Sequence, residues 1–208
     1  MRNIATIGGM GSGKTELAKA IQSLDPTVNI LYMSMYGARI PMTLAATTHP
    51  DLLKLSKQEY IEAILSNQHV PLLSLVGQRQ QMDEFERKVL DAYGNDIFAS
   101  IALGALVPGV QNLADNVIIV PNVKQFKDRG FYIVGCTCDF YSRVERCYAR
   151  KKDIDPKERV QIAAQIRKTD NYFESDWTIK LADIVYDTTA LGKEDYQGLA
   201  REVLAATR

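Results

Sequence analysis

Eight residues near the start of the chain, Gly8-Gly9-Met10-Gly11-Ser12-Gly13-Lys14-Thr15, fit the spacing G-x-x-x-x-G-K-S/T. The chemistry open to such a run is anion binding. Small residues let successive backbone N–H groups turn toward one anion, an approach that bulky side chains would block. Lys14 is then spaced to reach the β- and γ-phosphates of a nucleotide, and the Thr15 hydroxyl to ligate Mg²⁺. A helix opening at Lys14 adds the positive end of its dipole. The flanking residues supply the required context. Asn3–Ile7 reads as a short apolar strand, and Leu17, Ala18, Ala20, Ile21 and Leu24 recur at helical spacing. The run therefore predicts a loop that binds a nucleoside triphosphate, with an ordinary Gly-rich turn as the bland alternative.

A second group of chemistry-bearing residues lies in CDFYSRVERCYARKK. Arg143, Arg146 and Arg150 are spaced so that a helix stacks them along one face, with Lys151 and Lys152 directly after. Such a row repels itself unless an anion lies between its members. Phosphoryl transfer needs cations of this kind, because it is mostly positioning and charge neutralisation. A planar guanidinium also grips two oxygens at once. The competing reading is a solvated basic face paired with Glu145, Asp153 and Asp155.

The elements that must position these groups alternate between strand and helix. Strand-like runs occur at Asn3–Ile7, Val28–Ser34, Asn116–Val120, Phe131–Thr137 and Ile184–Tyr186. The continuous apolar character of VIIV and FYIVGC suits strands buried on both faces of a parallel sheet. Helices are expected over Lys57–Asn67, Gln78–Tyr93, Asp96–Val107, Pro156–Phe173 and Lys193–Ala206. This alternation predicts a three-layer α/β fold with a five-stranded parallel sheet, as a single domain over residues 1–208. The stretch between the second and third strands, residues 35–115, is too long for one crossover and reads as a helical insertion suited to a second substrate, with a structural cap as the alternative.

Acidic and basic residues balance at 25 each, so no net charge drives the chain onto nucleic acid or an anionic membrane. No run is long and apolar enough to span a bilayer, nor does the start resemble a signal peptide. The three cysteines lack paired metal-ligand spacing. A cytoplasmic protein acting on small molecules is the expectation. Trp177 is expected to anchor the last helix connection to the core.

Together, Gly8–Thr15, the Arg146-x-x-x-Arg150 pair and ADIVYDTTALGKED resemble the P-loop nucleotide kinases, a group that includes nucleoside monophosphate kinases and dephospho-CoA kinase. The middle, LDAYGNDIFASIALGALVPG followed by NVIIV and FKDRGFYIVGCTCD, is similar to the adenylate-kinase-related archaeal and phage branch. The resemblance implies a P-loop NTPase fold, ATP and Mg²⁺ as ligands, and a small phosphorylated acceptor. It further implies that Arg146 packs on the adenine and that Arg150 binds phosphates from a lid over about residues 146–165. The loop Asp187-Thr188-Thr189-Ala190 would wrap the adenine, while Arg39, Arg79 and Arg87 are candidates for gripping the acceptor phosphate.

Two acidic positions common in this group look empty. Ser34 stands at the end of the second strand, and NVIIV runs into Pro121-Asn122-Val123-Lys124 with no carboxylate. Asp139 is read as a helix cap in preference to a substitute acid. Three functions follow as alternatives. The first is phosphoryl transfer to a nucleoside or deoxynucleoside monophosphate. The second is a dephospho-CoA kinase, whose hydroxyl acceptor needs a general base. The third is a non-catalytic nucleotide sensor.

Overall fold

The computed structural model describes residues 1–74, 79–150, 156–172 and 175–208, with the backbone alone for 79, 80 and 156. Gln78, Lys151, Lys152, Asp153, Asp155, Phe173 and the Arg79 side chain, all named above, lie outside the described residues, as does part of the 146–165 range.

The chain opens with β1 (Ile4–Ile7), α1 (Lys14–Leu24) and β2 (Asn29–Tyr32). A π-helical turn, Met35–Arg39, runs directly into α2 (Ile40–Thr47), followed by α3 (Lys57–Ser66), α4 (Arg79–Tyr93) and α5 (Ile97–Gly104). Next come β3 (Asn112–Val117), α6 (Val120–Asp128), β4 (Tyr132–Thr137) and α7 (Phe140–Tyr148). The chain closes with α8 (Pro156–Tyr172), α9 (Ser175–Thr178), β5 (Ile184–Asp187) and α10 (Tyr196–Thr207). All strand pairs are parallel, in the order β2-β3-β1-β4-β5.

Period-two alternation sends β1 and β3 side chains to two cores. Ile4, Leu113, Val134 and Cys136 pack with Leu17 and Ile21 of α1 and with Ala200, Val203 and Leu204 of α10. Ala5, Ile7, Ala114 and Ile133 face the other way, against Val123 and Phe126 of α6 and the helices that follow β2. Those helices share this core through Leu44, Tyr60, Ile64, Val89 and Phe98, so the segment between β2 and β3 is packed directly onto the sheet. Truncating a fully buried side chain such as Leu17 to alanine costs about 2–5 kcal/mol.

The third strand differs from the sequence expectation. It spans Asn112–Val117 rather than Asn116–Val120, and VIIV is divided between the strand end, a short connection and the first residue of α6. Chain direction changes there through left-handed backbone at Asn116 (φ 67) and Ile119 (φ 70). The polar residues that disguise this strand are satisfied internally. Asn112 Nδ2 donates to the carbonyls of Val107 and Val110, and its Oδ1 accepts from Asn29 Nδ2.

Asp139 caps α7, its Oδ1 accepting from the Ser142 amide at 3.0 Å. Trp177 does not anchor the core. Its ring is 62% exposed with Lys180 Nζ 3.9 Å above the centroid, because the four-residue α9 is too short to bury a face.

Tyr60 is a buried group that breaks the pattern of satisfied polar atoms. Tyr60 is fully buried and stacked on Tyr93 at a 4.4 Å centroid separation, yet its hydroxyl has no hydrogen-bond partner. A buried unpaired hydroxyl costs about 1–3 kcal/mol. Tyr60→Phe should therefore raise the urea midpoint, by roughly 1 kcal/mol of stability. A lowered midpoint would refute this.

Candidate functional site

At the carboxyl ends of β1 and β3 the Gly8–Thr15 loop enters α1. Its glycines have no room for a side chain, and at two of them the clash is closest. A Cβ at Gly8 (φ 138) would lie 2.2 Å from the Cys136 carbonyl oxygen, and one at Gly13 (φ 87) 2.0 Å from the Tyr196 hydroxyl. The loop is thus wedged between β4 and α10, with its turn closed by the Ser12 amide donating to the Gly9 carbonyl at 3.2 Å. The Ser12 hydroxyl is buried there with no partner, an unspent donor within the cradle.

Beneath the loop lies the carboxylate that the apolar run concealed. Thr15 Oγ1 donates to Asp115 Oδ2 at 2.8 Å, and Thr6 Oγ1 donates to Asp115 Oδ1 at 2.8 Å. With its proton directed at Asp115, Thr15 keeps its lone pairs for a cation. The third strand therefore does carry an acid. Its sequence signal was the two-residue offset from Leu113, which places Asp115 on the α1 face.

Lys14 is buried, its Nζ donating to the Gly9 carbonyl at 2.7 Å. Burial pushes its ammonium below the ordinary lysine value, with the Asp115 carboxylate opposing that shift.

The arginine row divides into three roles. Arg143 Nε donates to the Met10 carbonyl at 2.6 Å and Nη2 to Asp170 Oδ1 at 2.7 Å, tying the loop apex to α8. Arg146 grips the loop after β5, donating to Thr188 Oγ1 at 2.9 Å and to the carbonyls of Thr188, Thr189 and Leu191. Thr188 is itself buried against the loop, its hydroxyl donating to the Ser12 carbonyl at 2.9 Å, which ties the two segments together. Asp187 Oδ1 closes that turn by accepting from the Thr189 amide and hydroxyl, and Ala190 is exposed beside it. Arg150 is exposed and lines a cavity of about 280 Å³ together with Met10, Gly11, Gly13, Lys14 and Thr15.

The opposite wall of that cavity comes from Met33, Ser34 and Gly37 after β2, Glu86 of α4, Phe98 of α5, and Asn116 and Ile118 after β3. Arg39 and Arg87 are not among its lining residues. Arg39 Nη1 lies 3.8 Å from Met35 Sδ, while Arg87 faces Tyr172 in a separate cleft. Neither Glu86 nor Asn116 was singled out by sequence, since each acquires meaning only from what the fold sets opposite it.

The cradle fits a nucleotide's phosphates on observations independent of any motif. Amide-rich glycine backbone and a buried cation converge on one cavity, and the orphaned Ser12 hydroxyl belongs to a neighbouring one with Gly8, Gly9 and Cys136. Among the described residues no group of three or more His, Cys, Asp or Glu side chains is placed to hold a metal, so a Mg²⁺ here would draw its remaining ligands from phosphate and water. Among the same residues no helix is long and apolar enough to cross a membrane.

Solved structures share this architecture along nearly the whole chain. TT1252 from Thermus thermophilus is similar at 18% identity over 100% of both chains, with a TM-score of 0.56. A gluconokinase from Sinorhizobium meliloti 1021 is similar at 14% identity over 99% of this chain and 92% of that one, TM-score 0.53. A shikimate kinase from Bacteroides thetaiotaomicron is similar at 14% identity over 98% of each, TM-score 0.50. The fold is the three-layer α/β P-loop fold shared with the gluconokinase and the shikimate kinase. At the level of sequence, no family model and no curated protein matches the chain.

Triphosphate binding should depend on the Lys14 proton. A bound polyanion favours the charged form, so affinity should stay level below the free protein's lowered Lys14 pKa. Above it, affinity should fall by roughly tenfold per pH unit. Calorimetric titration with ATP at rising alkaline pH reads this directly. The same curve in Lys14→Met would show that another group is responsible.

Proposed function

We propose that the protein transfers the γ-phosphoryl group of ATP to a small acceptor bound in the cavity beside the Gly8–Thr15 loop. The observation that carries this reading is the Thr15–Asp115 hydrogen bond at 2.8 Å beneath a loop whose buried Lys14 opens onto that cavity. The fold shared with a gluconokinase and a shikimate kinase supports it.

Thr15 and Asp115 would hold Mg²⁺, directly or through water, and the ion when bound neutralises charge on the β- and γ-phosphates. Backbone amides from Gly9 to Lys14, with the Ser12 hydroxyl, would hold the phosphates. Lys14 would exchange its bond to the Gly9 carbonyl for phosphate oxygens, offsetting its desolvation. The edges of the Arg146 guanidinium are committed to the Thr188–Leu191 carbonyls, which leaves its flat faces for an adenine. Arg150, at the cavity mouth, would meet the transferring group.

The non-catalytic sensor reading rested on two missing acids; Asp115 supplies one at the third strand, while Ser34 still stands at the end of the second. A nucleoside or deoxynucleoside monophosphate is the acceptor that the family resemblance implies, with dephospho-CoA as its alternative. Action on small molecules in the cytoplasm is part of the same proposal.

ADP release from Mg-ATP across a panel of acceptors tests the reading. Lys14→Ala should lower acceptor-dependent release at least ~100-fold, the scale of one lost transition-state cation or donor. Asp115→Asn should lower turnover and raise the Mg²⁺ concentration needed for half-maximal rate. A protein that binds ATP yet releases ADP with no acceptor, or a Lys14→Ala variant with near-normal turnover, would overturn it.

A further inference from the structure

Resting on the phosphoryl-transfer reading, we infer that Gly37 is a specificity-determining residue: by lacking a side chain, it sets the size of acceptor that the cavity admits. Gly37 is buried in the π-helical turn Met35–Arg39 and lines the same cavity as Lys14 and Thr15. It stands on the wall opposite the phosphate loop, just after Met33 and Ser34 in the chain.

Glycine is an unfavourable residue at this point. Within a helix it loses more backbone entropy than any other residue, whereas alanine is the best helix former. Two ordinary reasons for a glycine do not apply. Gly37 is not among the glycines with positive φ, so its backbone conformation is open to any L-residue. Nor does another backbone crowd it. The three atoms nearest to a Cβ at Gly37 would be Glu86 Oε1 at 3.3 Å and Phe98 Cε1 and Cδ1 at 3.5 and 3.7 Å, all on side chains. Gly8 and Gly13 are different, with the corresponding approaches at 2.2 and 2.0 Å.

What sets Gly37 apart is the place its missing side chain would take. Its nearest neighbours there, Glu86 and Phe98, both line the cavity. Phe98 is 3% exposed and packed into the core, so it can yield little. A side chain at position 37 would therefore take its room from a cavity of only about 280 Å³. The turn itself is of a kind frequent at functional sites. Met33, Phe98 and Ile118 give this wall apolar surface, which suits an acceptor that carries a ring more than a compact polar one. The phosphate loop lies on the other wall, so filling the space beside Gly37 should exclude the acceptor and spare ATP.

The test compares the native protein with Gly37→Ala and Gly37→Val, using Mg-ATP and adenosine monophosphate, thymidine monophosphate, dephospho-CoA, shikimate or gluconate as acceptor. For the ring-bearing acceptor that the native protein uses best, Gly37→Ala should lower kcat/KM by roughly 10- to 200-fold, the discrimination one methylene supports in a pocket. Gly37→Val should lower it further. The loss should fall mainly on KM, as expected when binding is removed and the chemical step is left alone. ATP affinity by calorimetry and the melting temperature of Gly37→Ala should both hold. A glycine with a merely structural role would give the opposite pattern, with the melting temperature lowered and ATP and acceptor binding weakened alike. That pattern, native kcat/KM for every acceptor in Gly37→Ala, or a native preference for gluconate would overturn the inference while leaving the kinase reading intact. Absence of turnover with every acceptor would overturn both.

Discussion

The Asp115 carboxylate accepts a hydrogen bond from Thr6 in β1 and another from Thr15 in α1, and the rest of the site is arranged around that pair. Burying a charge costs several kcal/mol unless donors and an opposite charge compensate it. Here two hydroxyls meet one oxygen each, and the buried Lys14 supplies the cation. Thr6 passes the constraint onward by accepting from the Asn116 amide, which holds that residue in left-handed backbone. The irregular register between β1 and β3, falling between Ala5 and Ile7, sits at the same place. One carboxylate therefore couples the orientation of Thr15, the direction of the chain leaving β3 and the cavity wall opposite.

Around this joint the two halves of the site are made of different material. The phosphate half is largely backbone, wedged by the Cys136 carbonyl and Tyr196 and drawn to α8 through Arg143 and Asp170. That ion pair lies so close to Gly9 that a Cβ there would stand 2.6 Å from the guanidinium. The opposite wall is made of side chains from the turn after β2, from α4 and α5, and from the segment after β3. Backbone amides recognise phosphates of any nucleotide, whereas side chains discriminate among acceptors. On the proposed function, discrimination would belong to the helices between β2 and β3, whose packing on the sheet keeps that wall in place.

Much of the nucleotide half was legible in the residues themselves. The glycine spacing, the lysine and the threonine act through neighbours in sequence, so the loop, its helix and the cap at Asp139 could be read locally. The parallel five-stranded sheet was legible as well, because burial on two faces leaves continuous apolar runs. The third strand was displaced by that same rule. Its polar residues are satisfied by partners more than a hundred positions away, as with Asp115 and Thr6, or Asn112 and Asn3.

What the sequence alone determined, then, is that the chain carries a phosphate-binding loop in an α/β frame, since both depend on periodicity and short-range backbone geometry. Only the tertiary structure decided which carboxylate meets that loop and which arginines face elsewhere. Asp115, Glu86 and Arg87 are unremarkable in the linear text. Their surroundings are set by strand register and helix packing, which bring together residues whose distance along the chain carries no sign of their contact.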